Sequence, residues 1–247
     1  MDGVPVWSMS TRLAPGLHVA VGRPVDTLAY DHWTGRWSRM FVPMVIAAAQ
    51  VAPGDRILDV STGTGEAALG ALQAAGASGL VVGVDISPAM LTGARERLSN
   101  PSFWPIAADG QALPFKDASF DAVVCRLAAH HFADVIAAVK EMARVAKHRV
   151  VICDNTFVSE SSEEADRVRD PSHVRNYSQP EWHSFFELAG LELADERYLE
   201  RPLEIEPWLA RVGCVGDDAA RVRALLGDRV VDGVMPLPTL VLKGVPK

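Results

Sequence analysis

The segment RILDVSTGTGEAAL, residues 56–69, constrains the fold of this chain more than any other. Its first five residues are apolar except for Arg56 and Asp59. Ser61, Gly63 and Gly65 follow, and an Ala/Leu-rich stretch then runs from 66 to 75 and stops at Gly76. A short apolar run that passes through glycines into a helical stretch is a buried parallel strand and the loop feeding its helix. Gly63 and Gly65 let the backbone turn sharply and approach a ligand closely. The free amides at such a helix start favour an anionic group.

The pattern recurs. LVVGVD (80–85) reads as a second buried strand, and Ser87-Pro88 as the cap and first position of the next helix. Residues 102–109, 120–126 and 149–154 read as further strands, with a helix at 134–146. Strands at 191–199 and 238–243, and helices at 180–189, 207–213 and 217–226, complete the list. This alternation predicts an α/β fold: a Rossmann-like, doubly wound, mostly parallel seven-stranded sheet. We expect one domain over 1–247, comprising an N-terminal flap and helix (1–50), a cofactor-binding core (51–154) and a substrate-side cap with the last strands (155–247). Within the flap, residues 26–50 read as helical. The polar stretch 155–179, headed by SESSEE, reads as an exposed excursion, a lid or cap inserted after strand five.

Charge and cysteine content narrow the function classes. With 24 basic and 31 acidic residues the formal charge is -7, which argues against a nucleic-acid partner. Cys125, Cys153 and Cys214 are too few and too scattered for a disulfide scaffold, and Cys125 and Cys153 read as small core residues. No His/Cys/carboxylate set has metal-ligand spacing, so no metal is expected. Asp2 and Pro5 interrupt any signal-peptide pattern, and the apolar run 41–52 is too short to span a bilayer. The expectation is a cytoplasmic protein without a membrane partner; the oligomeric state stays open.

Which nucleotide the loop serves is the next question. Gly63-x-Gly65-x-x-Ala68 satisfies the loose dinucleotide fingerprint, and Asp85 at the end of the second strand can accept ribose hydroxyls. Asp59, however, lies inside the first strand, where it would repel a pyrophosphate but suits an ammonium group. Asp109-Gly110 ends the third strand, where a carboxylate can accept from an exocyclic amine. An ammonium, a ribose diol and an adenine amine together describe S-adenosylmethionine. A tight turn with no ligand, and a nicotinamide-dependent oxidoreductase, are the alternatives left by the glycine pattern alone.

The pieces LDVSTGTGEAAL, VVGVDISPAML, AADGQALPFKDASFDAVVCR and LAAHHFADV, in this order, resemble class I S-adenosylmethionine-dependent methyltransferases. They are most similar to the small-molecule group related to the ubiquinone/menaquinone-biosynthesis methyltransferases. RDPSHVRNYSQPEW and EPWLARV are weaker matches to the same group, and Ser61 departs from its usual glycine. The resemblance implies methyl transfer to a small-molecule acceptor at oxygen, nitrogen or carbon, in specialised or quinone-like metabolism. A protein of the same fold using the cofactor for a non-methylating reaction, such as a cyclisation, is the alternative. By the resemblance, Asp59, Ser61, Gly63 and Gly65 would serve the methionine end. Asp85 would hold the ribose, while Ile86, Met90, Ala108, Asp109 and Gly110 would surround the adenine. Arg126 would line the methionine part or the substrate mouth. Tyr30, Trp33 and Trp37 would belong to a helix closing over the cofactor, although Trp33 and Trp37 share one helical face and equally suit a core.

Displacement at a sulfonium needs alignment and the exclusion of water, and a base only where the acceptor holds its proton. His130 and His131 follow strand four and Asp154 ends strand five, all at the carboxyl edge where such sheets bind ligands. These three are the candidates for base and orienting acid; capping or packing is the competing account of each. His173, Arg175, Tyr177 and Trp182 are candidates to shape a substrate pocket.

Overall fold

The computed structural model describes residues 40–247. Tyr30, Trp33 and Trp37, with the flap they were assigned to, lie outside the described residues. Of the helix expected at 26–50, the described part is α1 (Phe41–Ala49), which ends in a left-handed Gln50.

The described elements follow the expected alternation: β1 (Arg56–Val60), α2 (Glu66–Ala75), β2 (Leu80–Asp85), α3 (Pro88–Leu98), β3 (Phe103–Ala107) and β4 (Phe120–Arg126). Next come α4 (Val135–Val145), β5 (Ala146–Asn155), α5 (Glu160–Arg169), α6 (Gln179–Leu188) and β6 (Leu191–Glu204). The chain closes with α7 (Ile205–Ala210), α8 (Gly216–Leu226) and β7 (Val234–Pro246). The sheet has seven strands in the order β3-β2-β1-β4-β5-β7-β6. β1 to β5 pair in parallel, and β7 runs antiparallel to both β5 and β6. The order reverses between β1 and β4, so the carboxyl ends of those strands open a crevice, where open α/β sheets bind ligands.

Burial explains why the central strands form. Ile57, Leu58 and Val60 of β1 and Val123, Val124 and Cys125 of β4 are fully buried, as expected for strands covered on both faces. One core packs α4 and α6 on one face of the sheet, and another packs α1 and α2 on the other. Gly83 is where β2 passes tightly: a methyl there would sit 2.9 Å from both Phe103 and Thr62. The three cysteines are free and buried, consistent with small core residues.

The segment after β5 needs correction. Far from being an exposed excursion, residues 160–169 form a helix capped by Ser159, whose Oγ accepts from the Ser162 amide. Its inner face buries Ser162, Glu163, Ala165 and Arg169. A third core joins Ala165 to Leu203, Trp208, Val222 and Met235 from β6, α7, α8 and β7. β6 and β7 are also much longer than the runs read from sequence, forming an extended antiparallel ribbon.

Candidate active site

A cleft of about 270 Å³ lies over the crevice. Its floor is the β1 loop. Ser61 and Gly63 have φ of 55° and 54°, and Gly65 caps α2 with φ 86°. Left-handed backbone at three alternate positions turns the chain without a side chain blocking the cleft, since nothing lies within 4 Å of a Cβ built on Gly63. Gly65 has another task. A methyl there would sit 2.8 Å from Leu98, so this glycine lets α2 pack on α3.

Two carboxylates hold the floor. Asp85 accepts from the Gly63 amide (2.9 Å) and the Ser87 amide (2.9 Å), tying the β1 loop to the β2 loop. Burial raises its pKa against those hydrogen bonds. Asp59 is buried and accepts from Thr62 Oγ1 at 2.7 Å. Burial pushes its carboxyl up to about 6, with the Thr62 hydroxyl and the Arg126 charge opposing. A carboxylate so desolvated and still short of charge compensation suits a cationic ligand group.

The far wall comes from β4 and the segments after β5. Arg126 ends β4, Leu127 follows in a left-handed conformation (φ 52°), and His130 and His131 lie in the next short turn. Asp154 at the end of β5 is buried and accepts from the His130 amide (3.0 Å), from Nδ1 of the same residue (2.6 Å) and from the Asn155 amide (2.8 Å). A carboxylate only accepts, so Nδ1 carries the hydrogen, and Nε2 has its lone pair free when the ring is neutral. Burial opposes charge on both partners, but their mutual attraction outweighs it: the pKa of His130 is raised and that of Asp154 lowered. His131 behaves oppositely. Burial and the neighbouring His130 charge drive its pKa down to about 3, and its Nδ1 meets the Ser172 carbonyl at 3.0 Å.

The expected residues therefore separate. Asp59, Ser61, Gly63, Asp85, Ile86, Met90, Arg126, His130 and His131 line the cleft, joined by His173. Gly65, Ala108, Asp109, Gly110 and Asp154 stand outside that lining. The Asp109 carboxylate accepts from the amide and side chain of Gln111, and a methyl on Gly110 would meet Phe132 and Val60. Of the remaining pocket candidates, Tyr177 and Trp182 pack edge-to-face in the core, while Arg175 pairs with Glu181.

Several lining residues were not singled out in the sequence: Asp166 and Arg201, and also Arg169, Asn176, Trp208 and Arg211, which lie within the two weaker matching segments. The reading that no metal-type set exists is also corrected. Glu163, Asp166 and His173 bring their ligand atoms within 4.8 Å of one another. They are knit by hydrogen bonds: Glu163 accepts from His173 Nε2 (3.1 Å), the Asn176 amide (3.0 Å) and Asn176 Nδ2 (2.9 Å). The i, i+3 spacing of Glu163 and Asp166 was the available signal, hidden in a run that looked solvated.

A methyltransferase-domain family model matches residues 58–153, which spans β1 to β5 and the turn bearing His130. The chain is 34% identical over 186 residues to the uncharacterized methyltransferase YcgJ of Bacillus subtilis, covering 70% of this chain and 72% of the relative. It belongs to the S-adenosylmethionine-dependent methyltransferase family. The crystal structure of YcgJ superposes with a TM-score of 0.77 at 26% identity, covering 84% of this chain and 98% of that one. The ubiquinone/menaquinone biosynthesis C-methyltransferase UbiE of Xanthomonas campestris is 42% identical over 115 residues, 45% of this chain and 44% of the relative. The cyclase SpnF shares the fold with a TM-score of 0.64 at 19% identity, covering 85% of this chain and 82% of that one. This methyltransferase therefore uses the sulfonium cofactor, and the nicotinamide alternative falls away. Among the described residues, no helix is long and apolar enough to cross a membrane.

Proposed function

We propose that this methyltransferase transfers a methyl group to a small-molecule acceptor whose proton is taken by His130. The observation that carries the reading is the buried His130–Asp154 pair on the wall of the cleft whose floor is Asp59, Gly63 and Asp85. When bound, S-adenosylmethionine supplies an electrophilic methyl on a sulfonium. Asp85 would hold its ribose hydroxyls, and Asp59 would balance its ammonium group through the β1 loop. Ile86 and Met90 would give the adenine an apolar face. In the neutral ring, whose Nδ1–H is held by Asp154, His130 Nε2 accepts the acceptor's proton. The resulting imidazolium is stabilised by the same carboxylate, which stands behind the ring, away from the cleft, and acts as a positioning residue. His131, with its pKa near 3, stays neutral and contributes a polar wall without competing charge. The buried surroundings exclude water from the transferring methyl.

Calorimetric titration with S-adenosylhomocysteine, S-adenosylmethionine and NAD tests the cofactor half. Micromolar binding of the two sulfur nucleotides and none of NAD is expected. Asp85→Ala should weaken that binding by about 1.5–3 kcal/mol, the scale of charged hydrogen bonds. An unchanged affinity would remove Asp85 from the ribose site. A product heavier by one methyl on an acceptor tests the chemical half.

A further inference from the structure

We infer that the cleft contains an anion subsite centred on Arg201, and that the methyl acceptor therefore carries a carboxylate or phosphate group. The inference rests on the methyl-transfer reading and specifies its substrate class. Arg201 comes from β6, is 6% exposed and lines the cleft. No carboxylate among the described residues forms an ion pair with it. Its Nε is buried with no hydrogen-bond partner. The contact the structure gives its guanidinium is the Phe41 ring, 5.1 Å away. Its charged neighbours make matters worse: beyond burial, the guanidinia of Arg211 and Arg126 push its pKa down, to about 10. A buried guanidinium with no carboxylate paired to it among the described residues is costly unless an anion arrives. A guanidinium offers a carboxylate or phosphate two parallel donors, which an ammonium does not.

The occupant is the acceptor rather than the cofactor because of where these groups originate. Arg126 lies at the end of β4, within electrostatic reach of Asp59 and the glycine loop. Arg201 and Arg211 belong to β6 and to the end of α7, on the part of the same wall that the segments after β5 build with Arg169 and Trp208. An acceptor anchored there by its anion would present its nucleophilic end toward His130.

The full chain saturated with S-adenosylhomocysteine is titrated with benzoate, phenyl phosphate and benzamide. The expected result is at least tenfold tighter binding of one or both anions than of benzamide; which anion binds tighter separates carboxylate from phosphate acceptors. R201Q should abolish the preference while leaving the affinity for S-adenosylhomocysteine within twofold. Should R201Q fail to fold, R201K keeps the charge but loses the fork, and a severalfold drop in anion affinity at unchanged nucleotide affinity is expected. Equal binding of benzamide, no binding of any probe, or an unchanged preference in the variants overturns the assignment. So does a tenfold loss of S-adenosylhomocysteine affinity in R201Q that vanishes with 5′-methylthioadenosine, which lacks the carboxylate; the subsite would then belong to the cofactor. If the wild-type chain binds no sulfur nucleotide, the methyl-transfer reading itself fails, whatever the anion titrations give.

Discussion

The two walls of the cleft are built by different means. The wall from the β1 and β2 loops is acidic, and its carboxylates Asp59 and Asp85 bond within their own loop or to the adjacent strand's loop, as Asp85 does with Gly63 and Ser87. The wall after β4 is basic and histidine-rich, and its contacts span long stretches of chain. His131 meets Ser172, the His130 carbonyl accepts from the Val174 and Arg175 amides, and Arg169 donates to the Trp208 carbonyl. On the proposed reading, the first wall serves the cofactor and the second the acceptor.

The sharpest way to break this comparison is to remove the base while sparing the floor. His130→Gln should lower kcat/KM by at least about 100-fold, the scale of general base catalysis, with S-adenosylhomocysteine affinity unchanged. Asp154→Asn should lose activity too, and it should move the acidic limb of the pH–rate profile to lower pH. The sign follows from the pair: burial resists the imidazolium, Asp154 overcomes it and holds the pKa of His130 up, and neutralising Asp154 lets it fall. A mere loss of packing would leave that limb where it was. If both variants keep full activity, the His130–Asp154 pair is structural and methyl transfer proceeds without it.

The same contrast explains what could be read in the sequence. Asp59, Gly63 and Asp85 were legible because strand, loop and helix are contiguous and each residue's task is set by its immediate neighbours. His130 was legible because it follows a buried strand at the ligand-binding edge. Arg201 was not: it lies beyond the strand read at 191–199, on the edge strand β6, where it and Leu203 are buried while most of the strand is polar and partly exposed. The α5 helix was missed for a different reason. Ser159 as cap, acids in the first turn and arginines in the last are ordinary helix signals, but a mean composition dominated by SESSEE outweighed them. Asp109 ends its strand as read, and its carboxylate accepts from Gln111 beside the cleft rather than in its lining.

A smaller effect sharpens the account of the far wall. Glu163→Ala leaves the His173 ring and the Asn176 amide without their buried acceptor, while Asn176 Nδ2 keeps Asp166 alone. Unfolding by denaturant should show a loss on the order of 3 kcal/mol. The affinity for S-adenosylhomocysteine should change little, because the floor takes no support from α5. A parallel loss of nucleotide affinity would show that the walls are coupled.

The smallest effect concerns Asp59 and pH. Its carboxyl, raised to about 6 by burial, is ionised above that value and neutral below it. In the free protein the folded state binds this proton more tightly than the unfolded chain between about pH 4 and 6. This group therefore adds stability as pH falls through 6 toward 4, the opposite of a salt-bridged acid. An ammonium seated near Asp59 reverses the balance, since the ligand prefers the ionised form. Affinity for S-adenosylhomocysteine should be flat above about pH 7 and fall by up to about tenfold per unit below 6. Binding near pH 6 should release a proton, visible as a dependence of the calorimetric heat on the ionisation enthalpy of the buffer. Asp59→Asn should bind more weakly at pH 8 and lose most of the slope; Asp85, also raised by burial, accounts for what remains. His131 adds nothing in this window, because it titrates near 3. A wild-type affinity that is flat from pH 5 to 8 would place the ammonium away from Asp59 and leave that carboxyl the role of holding Thr62 alone.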